Sequence, residues 1–384
     1  MIKLTPYESR QLNYFGSRMM GISHFRACQK LGRRPLNRAQ WEPHFVAHLC
    51  ASMADVASVW RSILGASRPN LKLTLSSVFT HQTPCVTWTP TTGGSKRCEL
   101  ADLLIVMIDR SAVAPSGIAT LIQVKQSDTG HIRLTTRSEK TQFELLSERP
   151  VFNVDSTDAP KAIDLSGCNP DAALLYGLNP PDCLPLMSHV LPSPRWKTAD
   201  KLGASIGAYS VISSSSMGRT LVNLIQGMQG WPFNLSPKGK DWRFFSKGGA
   251  RDDWAMLINY LLERSFKAPV KALITAGTQG MRREEHTMYL HSLSQAGNRM
   301  FFLQNRSDNI TEPHPFDWFN EISDGISEDQ NDEQMAEVSS ETPWAEYSDG
   351  GDRFTGMAQS ENQEPENGPV SVIAFEFSQT QDHN

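Results

Sequence analysis

Two apolar runs a short loop apart, Glu99-Leu-Ala-Asp102-Leu-Leu-Ile-Val and Ala119-Thr-Leu-Ile-Gln123-Val-Lys125, constrain this chain more than any other feature. Each has the character of a buried strand that suddenly carries polar groups. A strand alternates faces with period two, so Gln123 and Lys125 point one way and Val124 the other. The intervening Asp109-Arg-Ser-Ala-Val-Ala-Pro-Ser-Gly117 holds a Pro and a Gly that suit a chain reversal. If the runs pair as an antiparallel hairpin, Asp102 sits beside Gln123 and Lys125. Burying a carboxylate, an amide and an ammonium together is costly unless they serve each other, a metal or a substrate. Such a set can hold a divalent cation and orient a water molecule.

The surrounding periodicity fills out an α/β order. Residues 7–31 predict a helical lead-in interrupted by Gly16 and Gly21. Apolar positions from Phe45 to Ile63 recur at helical spacing, and Gly65 marks the end of that helix. Leu71–Phe79 alternates as a strand, followed by Val86–Trp88 and then by the two polar-bearing strands. Ser138–Arg149 predicts a helix with Ser138 as cap and Pro150 as stop. Asp171–Gly177 predicts a buried strand. Further on, the pattern gives a strand at Ile206–Ile212, helices at Met217–Gln229 and Asp252–Phe266, and strands at Arg299–Leu303 and Val370–Phe377.

Asp102 followed by Gln123-Val124-Lys125 resembles the PD-(D/E)XK nuclease superfamily, in the variant where glutamine replaces the second acid. Mrr-like restriction enzymes are similar in carrying a Q-x-K tripeptide. The resemblance covers residues 38 to 178, with Ala101-Asp102 standing where the family name has Pro-Asp. It implies a restriction-endonuclease-like αβββαβ core with a mixed central sheet, elaborated by extra helices and strands. It also implies a Mg²⁺- or Mn²⁺-dependent endodeoxyribonuclease, with bacterial antiviral defence or DNA processing as its setting. The division expected is a lead-in at 1–37, the core at 38–178 and an accessory α/β region at 179–318. An acidic disordered segment at 319–368 and a terminal strand at 369–384, free to dock back onto the body, complete it.

Under that resemblance Asp102 is the main metal ligand, Gln123 coordinates through its amide oxygen, and Lys125 offsets charge during water attack. Glu99 and Glu42 are the candidates for the missing negative charge. Lys140 and Gln142, on the next helix, could touch the scissile phosphate. A stretch from Trp231 interleaves bases with aromatics; Lys238, Lys240, Arg243, Lys247 and Arg251 could follow a phosphate backbone while Trp242 or Phe245 stacks on a base. Each has a structural alternative: Asp102 in a plain ion pair, Lys125 reaching water from an edge, the aromatics anchoring a loop. His44 and His48 share a helix face but lack the glutamate of HExxH, which favours packing over zinc. His81-Gln82 could approach the cleft or cap a turn. Ser213–Thr220 lacks the GxxxxGK[ST] spacing of a phosphate loop.

Charge is divided along the chain. From Asp308 onward 19 acids face one base, Arg353, whereas residues 1–307 carry 36 bases against 22 acids. A basic body suits a polyanionic partner, DNA with RNA also open, and the acidic tail could compete for the same cleft. No apolar run approaches the about 18–20 residues of a membrane span, and the N-terminus has no leader-like apolar stretch. The six cysteines are scattered without CxxC spacing, which points to a reducing, cytoplasmic setting. A catalytically silent nucleic-acid-binding subunit is the alternative that Gln123 favours. A helicase or ATPase partner recruited through the tail, and a homodimer, remain open.

Overall fold

The computed structural model describes residues 2–31, 41–79, 84–90, 93–110, 116–127, 129–169, 173–179, 196–199, 209–235, 242–246, 251–267, 289–293 and 370–379. Among them are five α-helices around a mixed central sheet. The helices are α1 (Pro6–Leu31), α2 (Trp41–Ser67), α3 (Arg137–Glu148), α4 (Met217–Gln226) and α5 (Asp253–Lys267). The acidic segment at 319–368 and the strand expected at Arg299–Leu303 lie outside the described residues, as do His81 and Gln82.

The strands, in chain order, are β1 (Leu71–Phe79), β2 (Cys85–Trp88), β3 (Lys96–Glu99), β4 (Leu103–Asp109), β5 (Ser116–Gln126) and β6 (His131–Arg133). They continue with β7 (Asn153–Val154), β8 (Leu174–Asn179), β9 (Lys197–Ala199), β10 (Ser210–Ile212), β11 (Ser215–Ser216), β12 (Trp231–Asn234), β13 (Tyr289–Leu293) and β14 (Ser371–Gln379). Eight form the path β11-β9-β8-β5-β4-β14-β1-β13, and β12 pairs with β5 beyond the end of β8. The β4–β5 pair is antiparallel, as the loop between them predicts, and β5–β8 is parallel. A parallel pair needs a long crossover, which here includes α3. Strand β14 enters between β1 and β4, parallel to β4 and antiparallel to β1, so residues 371–379 form an interior strand of the sheet. Strands β2, β3 and β7 form a separate small sheet, and β6 pairs with β10.

The alternation of β4, β5, β8 and β14 sorts their side chains into two cores. Leu103, Ile105, Met107, Ile122, Val124, Leu175 and Phe375 face α1, α2 and α4. Leu104, Val106, Leu121, Tyr176 and Ala374 face α3, α5 and the small sheet. On the first side Trp60 stacks on Phe375 with ring centroids 5.2 Å apart, and its indole N–H donates to Leu12 O at 3.0 Å.

The predicted break of the lead-in helix at Gly16 and Gly21 is corrected: α1 runs through both. A Cβ on Gly16 would stand 3.4 Å from the Trp60 ring, an ordinary packing distance, so the helix runs past Trp60 here and does not end. The second helix likewise continues through Gly65 to Ser67. There Glu8 accepts from Ser67 Oγ at 2.5 Å and from Arg68 Nε at 2.9 Å, tying the start of α1 to the end of α2. The Arg68 hydrogen bond overcomes burial and lowers the Glu8 carboxyl to about 2. Among the described residues no helix is long and apolar enough to cross a membrane.

Candidate active site

Asp102 occupies the bend just before β4, not the strand itself. Its N–H donates to Ile122 O at 3.1 Å, which carries the hairpin pairing one step past Leu103↔Ile122 and sets Asp102 opposite Gln123. Gln123 pairs in register with Tyr176 on β8, and Lys125 with Leu178. Since β4, β5 and β8 alternate in phase, Asp102, Gln123, Lys125 and Tyr176 share the face toward α3. The central geometric expectation therefore stands: the acid, the amide and the amine lie together on one face.

The contacts are specific. Gln123 Nε2 and the Val124 N–H, the latter at 2.6 Å, both donate to Asp102 Oδ2. Gln123 is only 1 % exposed, yet its Oε1 is buried with no hydrogen-bond partner. The Tyr176 hydroxyl is in the same position: the residue is 0 % exposed and the oxygen has no partner. An unsatisfied buried group costs about 1–3 kcal/mol, so two of them on adjacent strands are a concentrated expense. Burial pushes the Tyr176 phenol up; the Lys125 ammonium opposes that shift, while Asp102 and Glu139 add to it. All three charges therefore reach the same hydroxyl.

Glu139 was not singled out from the sequence. The cap of α3 is Thr136, not the predicted Ser138, and Glu139 completes a capping box with it. The signal was present as Thr-x-x-Glu, a threonine followed three residues later by an acid that can reach back. Glu139 Oε2 accepts from the N–H groups of Thr135 and Thr136, each at 2.9 Å. Partial burial works against its charge, but those donors, the Thr136 hydroxyl and the Lys125 ammonium hold the carboxyl below its ordinary value. The first turn of α3 thus brings a second ionised acid into the field of Lys125. A further cation, Lys197 on β9, pairs in register with Leu178, two strands from Lys125 on the same face. It has no acid partner among the described residues and lies against Gly130, whose φ of 75° opens the turn before β6.

The other expected residues are distributed as follows. Glu99 ends β3 in the small sheet, where its charge helps raise the Cys85 and Cys98 thiols. Glu42, His44 and His48 fall in the first turns of α2, and their side chains lie outside the described residues. Lys140 stands over the Tyr209 ring, 5.4 Å from its centroid, and Gln142 is buried in the packing of α3. In the basic–aromatic stretch Trp242 meets Tyr260 edge-on at 5.9 Å, and Phe245 packs beside it on the core. Arg243 lies over Trp242 at 4.8 Å. Arg251 is engaged by Asp253 and by the carbonyls of Lys161 and Ala162. The aromatics thus anchor this segment, as the structural alternative has it, and Arg251 bonds within the protein. Lys238, Lys240 and Lys247 lie outside the described residues. Ser216, in the serine-rich stretch, caps α4 by accepting from Arg219 N at 3.2 Å.

Elsewhere Arg110 bonds Glu376 of β14. Burial raises that glutamate to about 7 against the charge of Arg110. Cys50, Cys85, Cys98 and Cys168 are free, buried thiols shifted upward by burial, which makes them poor nucleophiles.

Among the described residues no group of three His, Cys, Asp or Glu side chains is arranged around a metal position. A cation here would instead draw on a mixed oxygen set. The Asp102 carboxylate and the orphaned Gln123 Oε1 are hard donors of the kind Mg²⁺ and Mn²⁺ accept, so the chemistry of the site fits such an ion. Compared with known proteins, the chain matches no family model, no curated protein and no solved structure.

Proposed function

We propose that this chain is a metal-dependent nuclease of the PD-(D/E)XK superfamily, with a restriction-endonuclease-like core formed by α2, β1, β4, β5, α3 and β8. Its substrate would be DNA. The observation that carries the reading is the partnerless Gln123 Oε1, buried on the same face as Asp102 and Lys125. A structural amide would be expected to find a donor; this one spends its N–H on the acid and leaves its acceptor bare. The separation of charge along the sequence, with a basic body, supports a polyanionic substrate.

Asp102 and Gln123 would hold the cation, with Glu139 contributing a second ionised carboxylate nearby. A divalent ion at that position supplies Lewis acidity toward a phosphoryl oxygen and makes water a better nucleophile near neutral pH. Lys125 brings a positive charge to the phosphate and offsets the negative charge that grows on its oxygens. Val124 N–H and Gln123 Nε2 fix the carboxylate of Asp102 before substrate arrives, which lowers the reorganisation the reaction requires. Water adds to phosphorus, the bond to the 3′ oxygen breaks, and that oxygen leaves as a hydroxyl, giving a 5′-phosphate end.

The Gln123–Asp102 hydrogen bond also favours a second reading, a silent nucleic-acid-binding subunit in which amide and acid only satisfy each other. Incubation of the full chain with double-stranded DNA, single-stranded DNA and RNA in Mg²⁺ or Mn²⁺ separates the two. Cleavage lost in Asp102→Ala and in Lys125→Ala supports the nuclease. Salt-dependent binding that survives both substitutions, with no cleavage of any substrate, selects the silent subunit.

A further inference from the structure

Lys125 pairs in register with Leu178, and Leu178 with Lys197, so the two lysines belong to one cross-strand row on the face toward α3. Two strand spacings of about 4.8 Å set their backbones roughly 10 Å apart. Lys197 is held against the fold and does not sway in solvent. A Cβ on Gly130 would stand 3.3 Å from Lys197 Cδ, 3.3 Å from Lys197 Nζ and 2.5 Å from Ser213 Oγ. Gly130 is buried with a φ of 75°, and its carbonyl accepts from the Ser213 N–H at 2.7 Å. The missing side chain thus lets an ammonium and a hydroxyl converge on one point. Both residues are half-buried, and neither Lys197 Nζ nor Ser213 Oγ is bonded to another group among the described residues. Between them they offer O–H and N–H donors of the kind that a phosphodiester oxygen accepts. Packing of the lysine stem over Gly130 also reduces the side-chain freedom that binding would otherwise cost.

We propose that Lys197 and Ser213, brought together over Gly130, form a subsite for a nucleic-acid backbone phosphate that flanks the one at Lys125. The subsite rests on the reading of the Asp102 face as a nucleic-acid site, and adds the line that the strand follows. It runs from Lys125 on β5, past the buried Leu178 on β8, to Lys197 on β9. Flexible four-carbon stems let the two ammonium groups adjust to the spacing of phosphates along one strand. Contacts to phosphate position a strand without reading its bases, so the subsite accepts any sequence.

Fluorescence anisotropy of a labelled DNA duplex with the full chain, over a salt series without divalent metal, measures binding with no cleavage. Lys197→Gln should reduce the slope of log affinity against log salt by about 0.9, the share of one duplex phosphate. Ser213→Asp, which sets an acid against Lys197, should reduce it by the same amount. Arg18→Gln removes a charge from the exposed face of α1, on the other side of the sheet, and should leave the slope unchanged. The slope of the starting protein in either Lys197→Gln or Ser213→Asp overturns the proposal and leaves the nuclease reading intact. An equal reduction in Arg18→Gln also overturns it, because the effect would then be one of overall charge. If the starting protein binds DNA but cuts nothing in Mg²⁺ or Mn²⁺, the nuclease reading fails, and the slopes still decide the role of Lys197. If it binds neither DNA nor RNA, both readings fall.

Discussion

On one face of the central sheet Leu103, Ile105, Val124 and Phe375 meet α1, α2 and α4 through aliphatic and aromatic side chains. On the other, the same strands present Gln123, Lys125, Tyr176 and Glu376, with Asp102 at the entry to β4. Only the phase of the alternation separates the two. A slip of one residue in β5 would bury Lys125 among the helices and turn Val124 toward α3, so the fold has little freedom of register. The first face is packed mainly by apolar contact, although Ser77 Oγ on β1 is also buried there without a partner. The second carries buried polar atoms whose partners are incomplete, which is the pattern of a surface built for something besides packing.

Substitutions should therefore separate the faces by readout. The largest effect expected is on chemistry: Asp102→Asn and Lys125→Ala should each lower DNA cleavage by about 10²–10⁴-fold. Their denaturation midpoints should change little compared with substitutions on the first face. Phe375→Ala is the counterpart there. Loss of a fully buried ring stacked on Trp60 should cost about 3–5 kcal/mol in denaturant titration. Glu8→Gln, which weakens the α1–α2 tie, should cost about 1–2 kcal/mol. The Glu8 carboxyl is held at about 2 from an ordinary 4.5, so its contribution is present above pH 4.5. That contribution is lost as pH falls toward 2, and the gap between Glu8→Gln and the starting protein should close over that range.

Glu376 should behave with the opposite sign. Its folded value, about 7, lies above the ordinary 4.5, so the folded state retains a proton that the unfolded chain has released. The associated stability is full below pH 4.5 and declines as pH rises through 7. Glu376→Gln, which mimics the protonated form, should match the starting protein near pH 4.5 and melt higher at pH 8. Failure of the two curves to separate would mean that Arg110 fully compensates the carboxylate. The smallest effect belongs to Lys197→Gln. If Lys197 meets a phosphate flanking the one at Lys125, the slope of log affinity against log salt should shrink by about 0.7–0.9. An unchanged slope would confine substrate to the strands nearer Asp102.

The faces differed in how far the sequence disclosed them. Period two in Ile122-Gln123-Val124-Lys125 is local, so the shared face of Gln123 and Lys125, and the antiparallel hairpin, were legible. That Asp102 precedes its strand was not, because a bend and a strand end share the same residues until pairing is known. The strand character of β14 was visible in Val370–Phe377, but its place between β1 and β4 was hidden. Parallel pairing with β4 leaves no turn between partners to read. Gly16 read as a break because the sequence does not display the Trp60 ring that packs beside it. Thr136 lost to Ser138 as cap because both are good capping residues and only the reach of Glu139 distinguishes them. Tyr176 was concealed in an apolar strand, where an aromatic is ordinary; only the missing partner of its hydroxyl sets it apart.

The most direct test of the central claim is anomalous diffraction from crystals of the full chain soaked in Mn²⁺. The peak should be bonded by the Asp102 carboxylate and by Gln123 Oε1, on the face toward α3. Saturating Mn²⁺ with no density at that position, and Gln123 Oε1 turned onto a protein donor instead, would contradict it.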